Sequence, residues 1–139
     1  MDNRTTPDLI AELAEGQVFV FGSNYAGRHG KGAALTAMQW GARYGTGEGL
    51  AGRTYALPTK GHDLRLPLSI ARIGLHVDKL VACARQNPGL TFLVTEVGCG
   101  LAGYGPKQIA PLFTVAATVE NIHLPVPFWQ WLKPTLSLH

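Results

Sequence analysis

Residues 94–109 read Val-Thr-Glu-Val-Gly-Cys-Gly-Leu-Ala-Gly-Tyr-Gly-Pro-Lys-Gln-Ile. They begin in a short, apolar, β-rich run, 90–97, which predicts a buried strand. Glycines at 98, 100, 103 and 105 follow and make a loop poor in side chains. Pro106 then opens a helix, predicted to run to about Thr118, with Ile109, Leu112, Phe113 and Ala116 on its core face. Backbone N–H groups on so bare a loop can come close to a ligand. With a helix N-terminus behind them they form a site for an anion such as phosphate.

The same grammar occurs earlier in the chain. Val18-Phe-Val-Phe21 is a continuous apolar run ending at Gly22, predicted as a strand buried on both faces. The loop Gly22-Ser-Asn-Tyr-Ala-Gly-Arg-His-Gly-Lys-Gly32 follows, and then a helix, 33–40, with a small-residue face that can sit close to a sheet. The two glycine loops read as opposite walls of one nucleotide-binding cleft.

The remaining segments fit around these two. Thr6-Pro7-Asp8 predicts a helix start, with Leu9, Ile10 and Leu13 as its apolar stripe and Gly16 as its end. Five glycines make 41–52 irregular. Residues 53–57 predict a strand stopped by Pro58, and 59–66 a polar loop. Pro67 predicts the start of a long helix to about Gln86, with Ile70, Ile73, Val77, Leu80 or Val81, and Ala84 on one face. Asn87-Pro-Gly89 is a turn, and Ile122–Val126 a last strand. The aromatic tail Phe128-Trp-Gln-Trp-Leu132 either caps the core or meets another subunit. Alternating strands and helices predict an α/β, three-layer domain with a mostly parallel sheet. Ligands bind such sheets beyond the carboxyl ends of the strands, where loops 22–32, 59–66 and 98–105 gather.

The 139 residues suit a single domain, with 1–5 and 133–139 loose. At 46% hydrophobic and 15% charged the chain is globular rather than disordered. A net charge of +3, its basic residues scattered, mildly favours an anionic ligand but does not argue for nucleic acid. Cys83 and Cys99 read as reduced thiols of a cytoplasmic protein. Neither a signal peptide, a membrane-spanning run nor zinc-type Cys/His spacing appears, so no metal and no cofactor is expected.

Residues 18–32, 55–60 and 94–113 together resemble a macrodomain, the ADP-ribose-binding fold. Phe-Val-Phe-Gly-Ser-Asn…Gly-Arg-His-Gly-Lys-Gly-Ala-Ala is similar to its strand-Asn-glycine segment, and Gly98-Cys-Gly-Leu-Ala102 to its second, diphosphate-clamping loop. Within the family the chain resembles the branch of terminal ADP-ribose protein glycohydrolase and the ADP-ribose 1″-phosphate phosphatases. Tyr55-Ala-Leu-Pro-Thr-Lys60 looks like the segment whose lysine attacks the distal ribose. Gly98-Cys-Gly-Leu101 looks like the segment just before the catalytic aspartate, but the next residue here is Ala102. A group of phage and bacterial proteins shares the Gly-Ser-Asn…Gly-Arg-His-Gly pattern. The opening strand and turn also resemble those of Rossmann-like, lysine-decarboxylase-like proteins, whose Pro-Gly-Gly motif is absent.

The resemblance implies binding of ADP-ribose or an ADP-ribosylated macromolecule, nucleic acid entering only as a modified substrate. Gly22, Ser23, Asn24, Gly27, Arg28, Gly30, Lys31 and Gly32 would form one wall. Gly98, Cys99, Gly100, Leu101, Ala102, Gly103 and Tyr104 would form the other. Asn24 would bond the distal ribose; otherwise it closes an Asx turn. Lys60 would be the nucleophile or a phosphate ligand. His29 would move a proton, and Asp63 or His62 would replace the missing acid if their loop folds inward; otherwise these are ordinary loop residues. Cys99 is read as a small residue under its loop rather than an acidic thiol. Trp40, Trp129 and Trp131 offer adenine stacking or, more ordinarily, core packing. For the adenine-contacting acid there are Asp8 and Asp2. Hydrolysis, or recognition without chemistry, both stay open because position 102 lacks a carboxylate.

Overall fold

The computed structural model describes residues 4–136, and Asp2 and positions 137–139 lie outside the described residues. Six strands form one sheet: β1 Thr5–Thr6, β2 Gln17–Asn24, β3 Gly49–Ala51, β4 Thr54–Lys60, β5 Thr91–Val94 and β6 Ile122–Pro125. Their order is β1-β6-β5-β2-β4-β3. Every pairing is parallel except that of β3 with β4. Four helices cover the sheet: α1 Gly32–Ala37, α2 Ile70–Gln86, α3 Pro106–Ile109 and α4 Val126–Leu136. The fold is three-layer α/β/α.

Strand alternation divides the core in two. Val18 and Val20 of β2 face α2, α3 and α4, joined by Tyr55, Leu57, Phe92, Val94, Ile122 and Leu124 from the other strands. Against them pack Ile73, Val77, Leu80, Val81 and Ala84 of α2, then Ile109, Phe113, Phe128 and Leu132. Each large apolar side chain so buried contributes about 1.5–3 kcal/mol. Phe19 and Phe21 point the other way, onto Ala34 and Ala37 of α1 and Ala42. Alanines there let α1 lie close to the strands, and the face is correspondingly thin.

Several sequence expectations are corrected. Residues 7–16 form no helix, and Leu9, of the expected stripe, is 83% exposed. Three apolar residues bury too little surface to repay ordering a turn, whereas Thr5 and Thr6 gain ladder bonds beside Leu124 and Pro125. Residues 4 and 5 are therefore held. Arg4 donates to the carbonyls of Ala117 at 2.8 Å, Val119 at 2.8 Å and Ile122 at 2.7 Å. It also lies over Trp129, 5.3 Å from the ring centre, while Trp129 Nε1 donates to the Arg4 carbonyl.

The glycine-rich 41–52 segment supplies β3, an antiparallel edge strand. β4 runs through Pro58 to Lys60 because β3 pairs only as far as Ala56, so the missing N–H costs no ladder bond. α2 starts at Ile70 rather than Pro67, capped by Ser69, whose hydroxyl accepts from the Arg72 N–H at 3.1 Å. β5 stops at Val94. The helix expected over 106–118 breaks into α3 and two 3₁₀ turns, Ala110–Phe113 and Ala116–Thr118. Pro111, with no N–H to give the helix, sits at the break. The aromatic tail is α4, its Phe128, Trp129 and Leu132 buried as a cap on the core.

Candidate functional site

β2 runs past its expected end, so Gly22, Ser23 and Asn24 are strand residues at the carboxyl edge of the sheet. A Cβ on Gly22 would lie 3.3 Å from Thr59 Oγ1 and 3.5 Å from the Gly98 nitrogen. Glycine there brings the ends of β2, β4 and the second glycine loop together. Above that junction opens a cavity of about 580 Å³. Gly22, Ser23, Asn24, Arg28, Gly30, Lys31 and Gly32 of the first stretch line it, as do Gly98, Gly100, Leu101 and Ala102 of the second. Lys60, half-buried at the end of β4, lines it too. Both glycine stretches line one space.

Lining residues that the sequence reading did not single out are Ala33, Ala34, Tyr44, Thr59, Leu64, Arg65, Thr95, Glu96 and Val97. Tyr44, 65% exposed, is the aromatic of the cavity; no tryptophan lines it, and Trp40 packs on Phe19 with ring centres 5.0 Å apart. Arg28, Lys31, Lys60 and Arg65 line the cavity, Arg65 being paired with Asp63, against one carboxylate among the described residues, Glu96. That balance favours an anion.

Six of the expected site residues are placed elsewhere. His29 is 1% exposed, edge-on to Phe21, with Nε2 between the carbonyls of Arg43 at 2.9 Å and Thr46 at 3.0 Å. It pegs the 41–47 segment behind the first wall rather than meeting a ligand. Gly27 is packed into that same segment: a Cβ there would come 2.3 Å from the Gly45 carbonyl carbon. Asp63 turns to Arg65, which donates to it at 3.0 Å and holds its carboxyl below the usual range; the pair is solvent-exposed. Gly103 and Tyr104 leave the cavity, and the Tyr104 hydroxyl donates to the Leu68 carbonyl at 2.7 Å. Cys99 lies under its loop, its thiol pushed up to about 11 by burial and then by the Glu96 charge. The expected helix N-terminus is not at the cavity either: residues 105–109 do not line it, and Gly105 N–H donates to Gln108 Oε1 at 2.9 Å.

Asn24 spends its amide on closing the loop. Oδ1 accepts from Arg28 N–H and Nδ2 donates to the Arg28 carbonyl, both at 2.9 Å. The next residue, Tyr25, donates its N–H to the Lys60 carbonyl at 3.1 Å. Its hydroxyl lies 2.7 Å from His76 Nε2, and His76 Nδ1 lies 2.8 Å from Glu48. This relay ties the first wall and the end of β4 to α2. Sequence spacing offered no sign of it, because the three side chains come from three separated segments.

A second cavity of about 220 Å³ adjoins the first, sharing Ala33, Thr95 and Glu96 with it. Asp8, Ile10 and Thr6 line it, and the Thr6 hydroxyl oxygen is buried without a hydrogen-bond partner among the described residues. No protein-family model, curated protein or solved structure matches the chain. Among the described residues no helix is long and apolar enough to cross a membrane.

Proposed function

We propose that this chain has the macrodomain's function: it binds ADP-ribose across the two joined cavities and hydrolyses the linkage at the distal ribose. The observation that carries the reading is a pair of glycines, Gly30 and Gly100, on opposing walls of the larger cavity. Neither has a positive φ, and neither has any atom within 4 Å of where a Cβ would stand. The backbone has no need of glycine at either place; a diphosphate drawn close to main-chain N–H groups does. Arg28 and Lys31 stand beside it to balance the charge. A cavity of about 580 Å³ suits a ligand of this size.

The smaller cavity is assigned to the base. Asp8 accepts from an exocyclic amine, and the unpartnered Thr6 hydroxyl supplies a further polar contact. The distal ribose then falls at Lys60, whose amine attacks the anomeric carbon and expels the attached group, water then releasing the ribose from the lysine, or else holds a 1″-phosphate. The substrate is ADP-ribose on a protein or nucleic-acid base, or ADP-ribose 1″-phosphate. The two free cysteines suit a reducing compartment, taken here as the cytoplasm.

One observation favours a second reading, a reader without turnover: the wall position after Leu101 is Ala102, with no carboxylate. A thermal-shift panel of ADP-ribose, its 1″-phosphate, NAD and AMP separates these. A true ligand at a hundred times its Kd adds about 2.7 kcal/mol of stability. Lys60→Ala is expected to abolish turnover while leaving ADP-ribose affinity within a few-fold. Unchanged turnover rejects the nucleophile; binding without product from the unaltered protein establishes the reader. Preference for AMP over ADP-ribose instead points to the lysine-decarboxylase-like nucleotide binders.

A further inference from the structure

Among the described residues Glu96 is the one carboxylate that lines the larger cavity, and it also lines the smaller one. Three residues are shared between the two spaces, Ala33, Thr95 and Glu96. Ala33 has no polar side chain, and Thr95 gives its hydroxyl to the Val20 carbonyl at 2.8 Å. Glu96 is exposed and makes no ion pair or side-chain hydrogen bond among the described residues. Of the three shared residues Glu96 therefore presents the one charged side chain, and it is anionic.

Two roles compete for it. Glu96 could serve as the acid partner of Lys60 that position 102 lacks. The sheet order argues against this: β2 lies between β5, which precedes Glu96, and β4, which ends at Lys60. Two strand spacings put their backbones roughly 10 Å apart. Lys60, moreover, does not line the smaller cavity. The position between a base pocket and a diphosphate clamp belongs to the sugar that joins them. A carboxylate accepts from both hydroxyls of a vicinal diol in short, charge-assisted bonds. In dinucleotide folds an acid beyond a strand end reads the ribose 2′-hydroxyl in this manner and disfavours a 2′-phosphate.

Resting on the ADP-ribose reading, we propose that Glu96 is a specificity residue: it binds the hydroxyls of the ribose next to the base and excludes ligands phosphorylated there. A 2′-phosphate would bring about −1.5 to −2 charge against the carboxylate. The chain would thus take ADP-ribose derived from a nicotinamide dinucleotide and refuse that derived from its 2′-phosphorylated counterpart.

Calorimetry with two probes tests this: ADP-ribose, and ADP-ribose carrying a 2′-phosphate on the adenine-side ribose. The unaltered protein is expected to bind the first at least tenfold more tightly. Glu96→Gln should narrow that ratio to within threefold, and Glu96→Arg should reverse it. Glu96 has no side-chain partner among the described residues, so both variants should melt within a degree or two of the parent. Equal affinity of the unaltered protein for the two probes, or a ratio unmoved by either substitution, overturns the inference alone. Failure to bind either probe defeats the ADP-ribose reading and takes this inference with it.

Discussion

The two walls of the cavity are built from the same residue type and held in different ways. The first, 22–32, is interlocked with the segment behind it. Ser23 donates to the Gly47 carbonyl, His29 bridges two carbonyls of that segment, and Asn24 closes its own turn. Cβ atoms on Gly27 and Gly47 would stand 2.3 Å and 2.1 Å from neighbouring backbone atoms. The second wall is held at its base, where a Cβ on Gly98 would stand 2.9 Å from Ile109 and where Tyr104 donates its N–H to the Gly98 carbonyl and its hydroxyl to the Leu68 carbonyl. Gly100 and Gly103 face empty space, and Leu101 is 65% exposed. Glycine thus has two uses here. In the first wall Gly27 lets backbone pack on backbone, while Gly30, like Gly100 and Gly103 of the second, leaves room. One wall is backed by a second segment and the other stands open to solvent around Leu101.

Breaking the interlocked wall should have the largest effect. Gly47→Ala sets a methyl group against the Asn24 carbonyl, and no flexible side chain can yield. Overpacking of this kind costs about 3 kcal/mol, lowering Tm by roughly 10 °C in differential scanning calorimetry. A Tm within two degrees of the parent would show that the wall is not interlocked.

The open wall should respond in affinity rather than stability. At Gly100→Ala the φ is permitted and the methyl meets nothing, so stability should stay within about 0.5 kcal/mol. The same methyl occupies the approach to the main chain, and ADP-ribose affinity should fall about tenfold, or ~1.4 kcal/mol. Undiminished affinity would remove the second wall from the binding site.

A smaller effect comes from the thiol beneath that wall. Burial, with the Glu96 charge adding to it, raises Cys99 above its ordinary value of 9.0 to about 11. The folded state therefore holds the proton more tightly than the unfolded chain. The resulting stability is present in full below pH 9 and is lost as pH rises from 9 toward 11. Denaturant midpoints should decline across that window, and Cys99→Ser should flatten part of the decline. An identical slope in the variant would mean the thiol is not held as described.

How much of this was legible differs residue by residue. Val18–Phe21, Phe92–Val94 and the α2 stripe read correctly because a buried strand and an amphipathic helix each leave a periodic trace in the chain. The walls of the cavity were legible because glycine clusters after strands are rare enough to notice. His29 read as a proton carrier and proved a core peg, since a histidine looks the same in sequence whether its ring meets solvent or Phe21. Glu96 went unremarked because a lone acid after a strand carries no pattern. Pro58 misled because whether a proline ends a strand depends on whether a neighbour needs its N–H. The helix expected from Thr6 failed for want of surface to bury, and no cap compensates for that.

Local pattern by itself determined the alternation of strands and helices, the parallel sheet and the glycine loops at its carboxyl edge. Those follow from side-chain periodicity and from backbone freedom, both written along the chain. Which glycines face each other, which histidine is sealed inside, and which carboxylate stands where two cavities meet were decided only in three dimensions. These depend on distances between segments tens of residues apart, set by the order in which strands pair and by what each loop must pack against.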